Sequence, residues 1–171
     1  MYKFIKKIRY LFEGIALFFL FVFLRFIPLN ISSYFLGKIA LFIGPNLNIS
    51  NRATKNIKYA MPNKKDYEIK NYVKGMWENL GKVIGEYPHL KKLVPKEKKN
   101  RIYIEGKNNL LLIKKKKIPA IFFSAHMANW EIAPMVAISN NIPVLTIFRR
   151  PNNPFVNLLL KYLRPNIPLT P

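Results

Sequence analysis

The sequence has no cysteine. Disulfides, thiolate nucleophiles and thiolate metal sites are excluded at once. Histidine occurs only at His89 and His126, and no H-E-x-x-H pattern is present, so a zinc site has too few ligands. No metal and no cofactor is expected. Acidic residues are scarce: 8 Asp+Glu stand against 29 Lys+Arg, a formal charge of +21. Such an excess calls for a negative partner, whether nucleic acid, anionic lipid headgroups or an acidic protein. Composition alone does not choose among them. There is no internal repeat and no low-complexity tract. What is abundant is apolar: 50% of the 171 residues are hydrophobic, enough for one domain with a real core and too many for a disordered chain.

The N-terminus points to a membrane. Lys3, Lys6, Lys7 and Arg9 form a basic flank, and Tyr10 to Leu24 is apolar except for Glu13 and Gly14. Extended through Arg25 to Ile27, the run has about the ~20-residue length of a spanning helix. A secretory signal would end in a small-residue cleavage site, and none follows. The coat from Ile15 to Leu24 has no polar face, which argues against a soluble surface helix. A membrane anchor is the expectation. Residues 31–47 are a second apolar stretch, interrupted by Ser32, Ser33, Lys38 and Gly44-Pro45, and read as an interfacial or packed helix. Basic residues on both sides of the first segment leave its orientation open. Arg52, Lys55 and Lys58 would suit an anionic leaflet, at about 1 kcal/mol each.

Residues 50–60 read as a helix with Ser50 as N-cap, ended by Met61-Pro62. Ile69, Tyr72, Val73, Met76, Trp77, Leu80, Val83, Ile84 and Tyr87 then fall at steps of three and four, one stripe of a long helix closed by Pro88. Trp77 and Met76 belong to that stripe and are expected in the core. His89 follows among lysines and reads as an exposed loop histidine. From Ile102 the rhythm changes. Strands are expected at 102–104, 119–125, 142–148 and from Ile167, alternating with helices at 109–117, 130–139 and 153–163. The run PAIFFSA has the continuous apolarity of a strand buried on both faces. The expected fold is α/β: a mostly parallel sheet with flanking helices, preceded by an N-terminal membrane-associated helical segment. The chain stops at Pro171 without a polar tail, so the sheet looks unfinished and the sequence reads as a piece of a longer protein.

The chemistry concentrates in His126-Met127-Ala128-Asn129-Trp130-Glu131. His126 follows the expected buried strand, where open α/β sheets bind their ligands. Five positions apart on a straight helix, side chains diverge by about 140°. The pair therefore meets only if His126 stands on the turn before a helix that begins near Glu131. In that arrangement a neutral imidazole takes the proton of an attacking hydroxyl, and the carboxylate holds the ring's other N–H. Asn129 and the turn's backbone are available to an oxyanion. By spacing alone, a His packed at a strand end is the simpler reading. Ser124 lacks a G-x-S-x-G elbow and is read as a strand residue.

The stretch AIFFSAHMANWEIAPMVA, with FRRPNNPFVNLLLKYLR after it, resembles the bacterial lipid A biosynthesis acyltransferases of lauroyl/myristoyl type, within the wider H-x4-D/E glycerolipid acyltransferase group. NRATKNIKYAMP and GKVIGEYP resemble upstream segments of the same family. One departure is Met127-Ala128, where the family more often has Leu or Phe followed by Gly; it bears on turn geometry and not on chemistry. The resemblance implies that His126 is the base on a sugar-lipid hydroxyl and that Glu131 orients it. It implies that Asn129, Arg149, Arg150 and Asn152 bind substrate, the arginines as bidentate phosphate ligands. It also implies an acyl carrier protein as donor, a lipid A precursor as acceptor, anionic inner-membrane lipids as surroundings and no nucleic acid. The setting would be the bacterial inner membrane, with residues 1–47 as anchor and interfacial helices and residues 48–171 as an acyltransferase domain facing the cytoplasm.

Three other readings remain. A glycerolipid or lysophospholipid acyltransferase would share the dyad and differ in the acceptor pocket. A nucleic-acid-binding module would explain the charge, but the aromatics lie on apolar stripes and do not alternate with basic residues on one face. A non-catalytic membrane protein would have no use for His126.

Overall fold

A computed structural model describes residues 2–94, 101–164 and 169–170. In chain order the elements are α1 (Tyr2–Phe26), α2 (Leu29–Ile43), α3 (Ser50–Ala60), α4 (Asp66–Glu86), α5 (Leu90–Leu93), α6 (Lys107–Lys116), α7 (Ile132–Ser139), β1 (Thr146–Ile147), α8 (Pro154–Leu163) and β2 (Leu169–Thr170). Single 3-10 turns occupy Gly44–Asn46 and Tyr87–His89. Contacts divide the chain into two compact units, residues 24–87 and residues 1–23 with 88–171. That division is one of packing. The boundary expected between residues 47 and 48 is one of role, on which packing is silent.

In the unit of residues 24–87, α2 and α4 pack through glycine. A Cβ on Gly85 would come within 2.6 Å of the Ser32 carbonyl oxygen, and one on Gly81 would strike the Leu36 carbonyl. A Cβ on Gly44 would enter the Trp77 ring. The backbones can approach this closely only because those positions carry no side chain. The Ser32 hydroxyl, buried in the seam, donates to the Gly85 carbonyl at 2.6 Å. Trp77 Nε1 donates to the Ser50 hydroxyl at 2.8 Å, and that hydroxyl donates to the Gly44 carbonyl at 2.7 Å. Ser50 therefore braces Trp77 and does not cap α3, whose cap position is Ile49. At the rim, Lys82 and Lys38 both reach Glu78 and hold its carboxyl below the usual range. Of the expected stripe, Ile69, Val73, Val83 and Tyr87 are buried, whereas Met76 lies at the surface.

In the other unit, α8 meets α1 where the apolar run of α1 is interrupted. Asn153 caps α8, its Oδ1 accepting from the Phe155 and Val156 amides at 2.9 and 3.3 Å. Its Nδ2 donates to the Tyr10 carbonyl at 2.8 Å and to Glu13 Oε2 at 3.0 Å. Gly14 lies against the Phe155 side chain, where a Cβ would come within 2.5 Å. The two residues that break the hydrophobic run are thus the two that receive α8. His89, expected on an exposed loop, is only 1% accessible.

The mostly parallel sheet is not found. Among the described residues the only ladder is the parallel pair β1–β2, with Thr146 opposite Leu169 and Ile147 opposite Thr170. Residues 102–104 and 119–125 form no strand, and the 142–148 segment contributes Thr146 and Ile147 alone. The start expected at Ile167 lies outside the described residues, just ahead of β2. The physical reason is partnership: an apolar run becomes a buried strand only when strands flank it on both sides. Here Ile121 is 92% and Phe123 is 94% exposed. The spanning anchor is corrected too. Among the described residues no helix is long and apolar enough to cross a membrane. Lys6, Lys7, Arg9, Glu13 and Arg25 all lie within α1, and its uncharged run from Ile15 to Leu24 covers only about 15 Å against the ~30 Å hydrocarbon layer.

The glycine seam can be tested by contrast. Gly81→Ala should lower stability by about 1–3 kcal/mol through overpacking. Gly75→Ala, at an α4 position with nothing within 4 Å, should raise it by about 0.5–1 kcal/mol. Denaturant unfolding of both variants reads the difference. Equal effects would contradict the seam.

Candidate active site

The segment from Ala125 to Glu131 is a tight turn leading into α7. The Met127 amide donates to the Ala125 carbonyl at 2.8 Å, closing a three-residue turn. Ala128 has φ +47°, in the left-handed region that suits glycine. The buried Asn129 accepts from the Glu131 amide at 3.1 Å through Oδ1, and the Ile132 amide donates to the Asn129 carbonyl at 3.2 Å. An asparagine bonding two residues on is the usual way to turn a chain into a helix. The condition set by the spacing is therefore met: His126 stands before the helix, and Glu131 stands at its threshold as the cap residue of α7.

The two side chains have different surroundings. His126 is exposed, its ring 5.1 Å from that of Trp130 at a tilt of 43°. Glu131 is buried at 4% accessibility. Both of its oxygens are engaged by Arg164, with Nε to Oε2 at 2.8 Å and Nη2 to Oε1 at 2.6 Å. This is the fork-on-fork geometry in which a guanidinium binds a carboxylate best. The other side of Arg164 is covered by the Phe148 ring, 5.3 Å from Cζ. Among the described residues no hydrogen bond joins His126 to Glu131. Arg149, Arg150 and Asn152 are exposed on the segment after β1.

A cleft of about 420 Å³ opens beside this turn. Met127, Ala128, Asn129 and Trp130 line it together with Ser124, residues 102–105 and the Ile132, Ala133 and Val136 face of α7. It is mixed in character, with apolar walls and the polar groups of Ser124, Asn129 and Glu105. Chemically, the arrangement offers an accessible imidazole, a fixed buried carboxylate five residues away and a cleft of mixed character beside the turn.

A family model described as Bacterial lipid A biosynthesis acyltransferase matches residues 1–168. The chain belongs to that family. No curated protein and no solved structure matches it. The chain is an acyltransferase of lipid A biosynthesis, and the family implies a lipid substrate.

Arg164 is the residue of this acyltransferase that the sequence reading passed over. It closes the block FRRPNNPFVNLLLKYLR, and the reading put weight on Arg149 and Arg150 at the front of that block. A cation at a helix C-terminus is ordinarily explained by the helix dipole. The available signal was scarcity: with eight acids in the chain, one at the head of a hydrophobic helix needs a cation. Asn153 was likewise passed over in favour of its neighbour Asn152.

The left-handed Ala128 stands where the family more often carries glycine. Ala128→Gly should therefore raise stability, by about 1 kcal/mol, as the Cβ clash is removed. Thermal or denaturant unfolding of the variant measures it. A loss of stability would mean that the turn does not hold this conformation.

Proposed function

We propose that this acyltransferase moves a fatty acyl group from acyl carrier protein to a hydroxyl of a lipid A precursor. The cytoplasmic surface of the bacterial inner membrane is the setting we assign to the reaction. The observation that carries the reading is the family match over residues 1–168, together with an exposed His126 on the turn that borders the cleft.

The steps balance as follows. The acceptor hydroxyl gives its proton to the neutral His126 imidazole while its oxygen attacks the thioester carbonyl. The thioester carbonyl oxygen becomes a tetrahedral oxyanion, which needs hydrogen-bond donors or cations beside it. The carbon–sulfur bond breaks, the ester remains on the acceptor, and the imidazolium returns the proton to the departing thiolate. Glu131 steadies the imidazolium. A carboxylate has about four lone-pair sites, so it can serve a guanidinium and an imidazole together. Rotation of the exposed His126 side chain is the movement this requires. Arg149, Arg150 and Asn152 would meet the phosphates of the acceptor or the acidic donor protein, in keeping with a chain of charge +21.

Membrane contact in this reading is with the surface. Phe4, Phe12, Phe19, Phe23 and Phe26 of α1 are all exposed. An apolar helix with a basic start, too short in its apolar part to span, suits the boundary between headgroups and acyl chains.

His126→Ala should lower acyl transfer by about 10²–10⁴-fold while the protein stays folded. Mass spectrometry of lipid A from cells carrying the wild-type or variant gene reads the outcome. Unchanged acylation would remove His126 from the mechanism. Acyl transfer to a lysophospholipid, with none to a lipid A precursor, would replace the acceptor.

A further inference from the structure

Helix α2 is built inside out. The face it packs on α4 carries Ser32, Gly37 and Ala40, continued by Gly44, with the half-buried Leu36 as its large residue. Six of its large apolar residues face away. Ile31, Tyr34, Phe35, Ile39, Phe42 and Ile43 are all exposed, Phe42 to 79% and Tyr34 to 62%. Steps of three, one, four, three and one place the six on a single stripe. A helix pair folded in water does the reverse, with bulky apolar side chains in the seam. Small residues inside and large apolar ones outside is the arrangement of helices whose solvent is lipid. A contiguous apolar stripe of this kind also marks an interaction surface.

We propose that α2 inserts its outer stripe into the surface of an anionic bilayer, lying in the plane of the headgroup–acyl boundary. Its 15 residues reach roughly 22 Å, less than the ~30 Å hydrocarbon layer, which fixes the in-plane orientation. Lys38 lies among the stripe residues, but its ammonium turns aside to Glu78 at 3.3 Å and passes 5.5 Å from the Tyr34 ring. That posture keeps the charge at the water side while the stem stays with the apolar surface. The exposed Arg52 and Lys55 of α3, in the same compact unit, supply charge for anionic headgroups. A protein partner would have to cover six large apolar side chains, whereas a bilayer covers them with no further fitting. The inference deepens the membrane-surface reading given above and adds to it a second contact besides α1. It requires nothing of the acyl chemistry.

The absence of cysteine allows single-site labelling of the full chain. An environment-sensitive fluorophore on Phe42→Cys is compared with one on Asn63→Cys, in the polar turn between α3 and α4. Vesicles of phosphatidylethanolamine and phosphatidylglycerol are added. Expected is a blue shift at position 42, with quenching by nitroxide-bearing lipid, and a water-like signal at position 63. A water-like position 42 while the protein sediments with vesicles would show that α1 alone binds, and would overturn the proposal. Failure to bind vesicles at all would overturn it too. So would a blue shift without vesicles accompanied by dimer formation, since the stripe would then be covered by a second copy. Phe35→Glu with Phe42→Glu should weaken vesicle binding by more than about tenfold. Its melting temperature should not change, because both side chains already face water. A folded double variant that binds normally would also contradict the inference. Acyl transfer to detergent-dispersed substrate, measured on the same variants, reports separately on the catalytic reading.

Discussion

A buried carboxylate must find a cation, and in this chain that requirement ties the start of α7 to the end of α8. Glu131 is one of only eight acids, and removing its charge from water would cost several kcal/mol if it were left alone. Arg164 offsets that cost with two short, nearly buried bonds, and Phe148 covers the guanidinium. The pair joins the His126 turn to the far end of the block that begins with Phe148. Glu131 is fixed by it, Asn129 caps against the Glu131 amide, and the turn that carries His126 is held between them. The exposed His126 and the immobile Glu131 carboxylate are thus set by one ion pair.

The other unit is held by a different device. Between α2 and α4 it is the absence of side chains that counts, since glycine lets carbonyls and ring edges approach to contact. Close approach favours small residues on the α2 side, and six large apolar groups of α2 stand outside. For an enzyme whose family implies a lipid substrate, such a surface fits the membrane contact proposed above. The excess of cations, 29 Lys+Arg against 8 Asp+Glu, calls for a negative partner in the same way.

Much of the helical framework was legible because helices are local. The period of three and four residues located α4, the Ser50–Ala60 helix appeared where it was read, and α6, α7 and α8 fell within about two residues of expectation. The position of His126 on the turn before a helix was legible for the same reason. The sheet was not. Whether PAIFFSA becomes a strand depends on partners elsewhere, and a run of apolar residues does not reveal whether they exist. The spanning anchor failed on a count of charges: Arg9, Glu13 and Arg25 lie in the helix, and Glu13 with Gly14 serves α8. Arg164 was missed because its partner lies 33 residues away, outside any local pattern. The exposed stripe of α2 was visible as apolar spacing, but not the glycine packing that turns it outward.

The most direct test of the central interaction is a double-mutant cycle on stability. Glu131→Gln, Arg164→Met and the double variant are unfolded in denaturant beside the wild type. Each single change removes one half of a nearly buried ion pair and should cost about 3–5 kcal/mol. The double variant should cost less than the sum, with a coupling of about 1–3 kcal/mol. Strict additivity would mean that the two side chains do not support each other, and that the His126 turn is held by something else.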